Sequence, residues 1–158
     1  MSEGGVTGVR HTGVAVRDLD RALRFYRDAL GLELIFEGES ESPHLAAVTG
    51  QPVRGLRKAN VGIPGGPYFE LLEWKADDLR EGAARPVDWG SGHTCLMVDD
   101  IDAVLARLRE HGFPAWVEEA PRIPSGQSAG ARAAYARDAD GYAIELFEPA
   151  PTGSTSLP

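Results

Sequence analysis

Imidazoles and carboxylates recur in this chain in a fixed order. The segment His11-Thr12-Gly13-Val14-Ala15-Val16-Arg17-Asp18-Leu19-Asp20 is echoed by His93-Thr94-Cys95-Leu96-Met97-Val98-Asp99-Asp100-Ile101-Asp102. The histidine and the Val-x-Asp-(Leu/Ile)-Asp behind it thus return after 82 residues (93 − 11). The halves also end alike, on Phe69-Glu70-Leu71-Leu72-Glu73 and Ile144-Glu145-Leu146-Phe147-Glu148. Such self-similarity is settled before anything else, because it sets the architecture. Two imidazoles and two carboxylates form a mixed nitrogen and oxygen inventory. It suits a divalent cation such as Zn, Mn, Fe, Co or Ni, with coordination positions left for water or substrate.

The elements that must position these groups follow from periodicity. Residues 9–16 read as a strand, with Thr12, Val14 and Val16 on one face and His11, Gly13 and Ala15 on the other. Small residues beside the histidine leave room for a ligand. Asp18 is placed to cap a helix with Leu19, Leu23, Tyr26 and Leu30 at helical spacing, stopped by Gly31. Strands are expected at 32–37, 56–63 and 68–74, with a polar loop at 37–43 and a short segment at 45–48. The second half repeats the order: a strand at 93–98, a helix capped by Asp100 and stopped at His111 and Gly112, and a strand at 113–118. After a loop at 121–130 come strands at 132–137 and 142–147, joined by Asp138-Ala139-Asp140-Gly141. Each half therefore reads βαβββ. The expected division is a first module at 9–74, a linker at 75–92, a second module at 93–149 and flexible termini at 1–8 and 150–158.

The totals narrow the function classes. A chain of 158 residues can bury one substantial core, and no apolar run approaches the length of a membrane helix. A net charge of −8 repels a phosphate backbone, so nucleic acid is not an expected partner. Cys95 is the single cysteine, and the first residues lack a basic or apolar signal region, so a cytoplasmic location is expected.

Two βαβββ units, with a histidine on the first strand and a glutamate on the last of each, resemble the vicinal-oxygen-chelate superfamily. That superfamily includes glyoxalase I, methylmalonyl-CoA epimerase, extradiol dioxygenases, and fosfomycin- and bleomycin-resistance proteins. The resemblance spans 9–149. It also rests on Asp18-Leu19-Asp20 followed by Phe25-Tyr26 and Leu30-Gly31-Leu32, and on Arg137-Asp138-Ala139-Asp140-Gly141 leading into Glu145. It implies an α+β fold of two modules with pseudo-twofold symmetry, whose curved mixed sheets surround a metal-binding cleft. Carried over residue by residue, it makes His11, Glu70, His93 and Glu145 ligands of one divalent cation (Zn, Ni, Co, Mn or Fe(II)), with no separate cofactor-binding residues. Burying two carboxylates without a cation or a proton is costly, which agrees with a metal.

The implied activity is lyase or isomerase chemistry by proton transfer next to a carbonyl of a chelated small molecule, with Glu145 as base and Glu70 as alternate. An Fe(II) extradiol-type dioxygenase is the runner-up. Its usual two histidines and one carboxylate would be crowded by a fourth ligand. A drug-binding resistance protein of the same fold is the reading from another class, and a complete ligand set argues against it. A homodimer is expected, with sites built within one chain or across two. Of the remaining residues, Glu73 and Glu148 read as solvated strand charges, His44 as a bystander and His111 as structural. Cys95 reads as packing, and Arg132 with the 121–130 loop either clamps a substrate or is solvated.

Overall fold

The computed structural model describes residues 8–82 and 85–151. The expectation of flexible termini falls almost wholly outside that set. Among the described residues the strands are β1 (Thr12–Ala15), β2 (Glu33–Ser40), β3 (Gly55–Gly62), β4 (Tyr68–Lys75), β5 (His93–Met97), β6 (Arg132–Arg137) and β7 (Ala143–Glu148). The helices are α1 (Leu19–Leu23), which runs on as a π-helical segment over Arg24–Ala29, then α2 (His44–Thr49) and α3 (Ile101–Glu110). The strands form two sheets, ordered β1-β4-β3-β2 and β5-β7-β6. In each, the first strand lies at an edge and runs parallel to the last. The α+β class and the two sheet modules are as the sequence reads.

Both main helices start where their caps dictate. The Asp18 carboxylate accepts from the Arg21 amide and the Asp100 carboxylate from the Ala103 amide, each at 2.9 Å. Both end before a glycine at φ 80°, Gly31 and Gly112. A second carboxylate reaches each helix from its own module's last strand. Glu73 accepts from the Leu19 amide at 2.7 Å, and Glu148 accepts from the Ile101 amide at 2.8 Å. Glu73 and Glu148 are therefore helix-capping groups, a correction to their reading as solvated charges. Leu19 and Ile101 are 82 residues apart, whereas Glu73 and Glu148 are 75 apart. The repeat thus has two registers, and the second module is seven residues shorter between them.

That shorter module is also a strand short. Residues 113–118 are not a strand; among them Trp116 makes one bond of a ladder kind, its amide donating to the Tyr135 carbonyl at 3.0 Å. Pro114 has no N–H to pair and fixes its own φ, so pairing cannot propagate from Phe113. The second module is βαββ. The segment at 45–48 is the middle of helix α2, ended by Gly50 at φ 64°.

One apolar cluster serves both modules. Leu19, Ala22, Phe25 and Tyr26 meet Ala59, Val61, Phe69 and Leu71 of the first sheet, and Ile101, Leu105 and Leu108 belong to the same cluster with Ile144 and Leu146 of the second. Phe25 and Tyr26, neighbours in the π-helical turn, are both fully buried. Phe25 then packs edge-on against Phe113 at 5.2 Å. Arg107 of α3 donates to the Ala29 and Leu30 carbonyls at the end of the first helix, and the Tyr26 hydroxyl donates to Asp138 at 3.0 Å. The modules are joined through this shared core, and strand alternation turns their other faces outward.

Candidate metal centre

The outward faces carry the chemistry. On β4, Phe69 and Leu71 are buried in the core while Tyr68, Glu70, Leu72 and Trp74 are half-buried on the other face. On β7, Ile144 and Leu146 are buried, and Glu145 and Phe147 face out. The register places Gly13 opposite Glu70 and Cys95 opposite Glu145. In both sheets the residue two after the histidine is thus paired with the glutamate. Two identical pairs result. His11 Nε2 lies 3.3 Å from Glu70 Oε2, and His93 Nε2 lies 3.1 Å from Glu145 Oε2.

Those separations can be tested against a metal. Nitrogen and oxygen donors each about 2.0–2.2 Å from one ion, at angles between square and tetrahedral, stand about 2.9–3.4 Å apart. Both pairs meet that test. His11 Nδ1 and the Oδ1 of Asn60, which stands opposite Glu70 in the β3–β4 register, are buried without a hydrogen-bond partner. The donor set therefore fits a divalent cation. Within one chain, however, the four ligands are not gathered: among the described residues no three His, Cys, Asp or Glu side chains are close enough to hold an ion. The chain carries two separate His–Glu pairs, one at each sheet's edge strand.

Their surroundings differ. Lys58 Nζ donates to Glu70 Oε1 at 2.7 Å and lies 5.6 Å above the Phe36 ring. Around the second pair, the Tyr135 ring meets His93 edge-on at 5.2 Å with its hydroxyl 3.5 Å from Nε2. Burial pushes the Tyr135 hydroxyl and the Cys95 thiol up, and the Glu145 carboxylate adds to both. Cys95 is exposed beside Glu145, so it is not the packing residue the sequence suggests. A cavity of about 350 Å³ is bounded by Arg10, His11 and Tyr68. A larger groove, about 1270 Å³, runs between the modules and reaches the ligand face only through Gly13, Ala15, Trp74 and Ala143.

The family model of the Glyoxalase/Bleomycin resistance protein/Dioxygenase superfamily matches residues 8–146. The chain belongs to that superfamily. Among its relatives, a lactoylglutathione lyase of Haemophilus influenzae is 31% identical over 144 residues, covering 89% of this chain and 91% of that protein. A 2-epi-5-epi-valiolone epimerase of Actinomyces is 29% identical over 146 residues, covering 90% and 80%. The crystal structure of a glyoxalase family protein from Bacillus cereus superposes with a TM-score of 0.79 at 23% identity, covering 96% of this chain and 99% of that one. The superfamily thus includes lyases and epimerases that act on small molecules.

Other candidates fall outside the two pairs. His44 opens α2, and His111 closes α3. Arg132 is held bidentate by Asp102, both bonds at 2.6 Å, so it is not a free substrate clamp. Arg57 holds the equivalent place in the first module, bonded to Asp20 at 3.1 Å and 3.5 Å from Glu73. Sequence reading missed Lys58 and Asn60. The signal was there, since Lys58 is one of only two lysines and alternation along β3 puts it on the face of Asn60.

Proposed function

We propose that two copies of this chain bind divalent cations between them, each ion held by His11 and Glu70 of one copy and by His93 and Glu145 of the partner subunit. The protein is then a metal-dependent lyase or isomerase working by proton transfer next to a carbonyl of a chelated small molecule. The observation that carries this reading is the twinned His–Glu pair. Each pair has the geometry of two adjacent ligands on one ion, and each lies at an edge strand, β1 or β5, where a second sheet can be laid alongside. Half a ligand set on each of two edges is completed by a twofold-related copy.

A divalent cation, when bound, polarises two neighbouring oxygens of the substrate and stabilises the anion formed beside them. The chain's own residues do the rest. His11 and His93 would supply nitrogen donors through Nε2. Lys58 fixes one oxygen of Glu70, whereas among the described residues no lysine or arginine pairs with Glu145. Glu145 is accordingly the residue that takes the proton from the carbon and returns it, with Glu70 as alternate. Such a positioned base contributes about 10²–10⁴ in rate. Leu72, Trp74 and Phe147 on the same faces provide apolar walls that keep water from the reacting carbon.

Subunit mixing tests the two-chain site. His11→Ala and His93→Ala should each lose metal binding while staying folded. When the two are unfolded, mixed and refolded together, about a quarter of the wild-type sites should return, since half of the dimers are mixed and each mixed dimer has one intact site of two. No recovery of metal sites would refute a site shared between chains. The reaction class is tested by incubating hemithioacetals and cyclitol ketones in deuterated water with each metal. Metal-dependent exchange without oxygen uptake supports proton transfer, and oxygen consumption with strict Fe(II) dependence refutes it in favour of the dioxygenase.

A further inference from the structure

The two half-sites are alike in ligands and unlike in charge. Beside the first stand Lys58, on Glu70 at 2.7 Å, and Arg10, whose Nε donates to the Tyr68 hydroxyl at 3.3 Å. The Tyr68 ring in turn tilts over His11 at 5.5 Å, and Arg10, His11 and Tyr68 share the walls of the 350 Å³ cavity. The repeat gives each of these cations a counterpart position in the second module, and neither position is charged. The position 82 after Arg10 is Gly92, and the position 75 after Lys58 is Ala133. The second pair is surrounded by Cys95, Tyr135 and Phe147, with Met97 exposed on the same face of β5.

Formal charge gives the asymmetry a consequence. Around a complete site the carboxylates of Glu70 and Glu145 are offset by Lys58 and Arg10, so the protein groups sum to zero before any cation enters. A dication then leaves a surplus of two positive charges, concentrated on the first module's side. A carboxylate that shares its charge with a dication also holds an ammonium less tightly. Lys58, with 36% of its side chain exposed, keeps further N–H donors for another anion beside Glu70.

We propose that Arg10 and Lys58 form an anion-recognition edge of the site, so that the substrate carries a carboxylate or phosphate at the end over the first module and an apolar body over the second. This rests on the metal-site reading given above and adds the substrate's charge and orientation to it.

The test uses full-length protein loaded with Zn(II) and two metal chelators of one chemistry. These are acetohydroxamate, which is uncharged beyond its chelating group, and succinic monohydroxamate, which adds a carboxylate. Calorimetry on the wild type should show the second binding about tenfold more tightly, as expected for one charge-assisted hydrogen-bonded contact. Lys58→Met and Arg10→Gln should each reduce that preference and the double variant abolish it, the preference being the ratio of the two chelators' affinities on the same Zn(II)-loaded variant. A phosphonate in place of the carboxylate shows which anion the edge prefers. Equal affinities in the wild type, or a preference that survives in the double variant, would overturn the proposal and leave the metal site standing. Failure of the wild type to take up Zn(II) would remove the metal-site reading, and this inference with it.

Discussion

Replacing Asp138 with alanine should cost the fold about 3 kcal/mol, a loss that can be apportioned atom by atom. Asp138 is 4% exposed. Its Oδ1 accepts from the Asp140 amide at 2.9 Å and the Tyr142 amide at 2.8 Å, and its Oδ2 accepts from the Tyr26 hydroxyl at 3.0 Å. Tyr26 is fully buried, so its orphaned hydroxyl bears most of the desolvation cost, about 1–3 kcal/mol. The two amides, in a half-buried turn, regain some of theirs from water, about 0.5–1 kcal/mol each. For a domain of this size the sum lowers the melting temperature by about 6–12 °C. The Asp138→Asn variant keeps the acceptor for both amides and can donate to the tyrosine oxygen, and should lose less than about 1.5 kcal/mol.

The wild type and the asparagine variant should also part with pH. Burial pushes Asp138 above the usual carboxylate range despite its three hydrogen bonds. With the folded value raised, the unfolded chain gives up this proton first as pH rises. The group's contribution is therefore most favourable below the unfolded value and declines as pH climbs through the raised folded one. The wild type should lose stability relative to Asp138→Asn across that window. Urea unfolding at a series of pH values measures both effects. An alanine loss below about 1 kcal/mol, an asparagine loss as large as the alanine one, or parallel pH profiles would refute the reasoning.

Four further outcomes are expected. Glu73→Ala and Glu148→Ala should each cost about 1–2 kcal/mol, with the double variant near the sum because the two caps share no partner, as chemical denaturation can check. Gly62→Ala should cost about 1–3 kcal/mol, because its Cβ would stand 2.5 Å from the Pro67 carbonyl and 2.7 Å from Tyr68 Cα, and backbone must move; the denaturation midpoint reads this. Glu145→Gln should lower metal-dependent deuterium exchange by about 10²–10⁴ when the rate is expressed per bound metal, with the metal content of each sample measured by elemental analysis. Glu70→Gln should instead weaken metal uptake and free Lys58, which competition with a chromophoric chelator would show.

Most of the architecture was legible in the sequence because it is written twice. His11 and His93 announce β1 and β5, the caps Asp18 and Asp100 announce the helices, and alternation on β4 and β7 sorts Glu70 and Glu145 onto the outward faces. The strand expected at 113–118 failed for a local reason: the apolar run around Trp116 carries a strand's composition, yet Pro114 cannot join a ladder. The π-helical turn was invisible to a 3.6-residue period, which reads Arg24–Ala29 as a plain continuation of the α-helix. At the site, the histidine and glutamate types were readable, but their distribution into two separate pairs depends on how the modules pack through Phe25, Phe113 and Tyr26. Glu73 and Glu148 looked like surface charges because the partners that give them meaning, the amides of Leu19 and Ile101, lie 54 and 47 residues away.

Those two capping carboxylates also act as a check on strand register. Glu70 and Glu73 are an odd number of residues apart on β4, so one faces outward beside His11 and the other the helix side. A strand that settled one residue out of step would swap every side chain to the opposite face. Glu73 would then leave the Leu19 amide unpaired while Phe69 and Leu71 lost the core, so the error would be felt at the helix before any ligand arrived. β7 is built the same way with Glu145 and Glu148. A chain whose helix starts are both satisfied has, by the same act of pairing, already set each carboxylate beside its histidine. The placing of the outward carboxylates is thus secured during folding, by groups on the opposite face of the same strand.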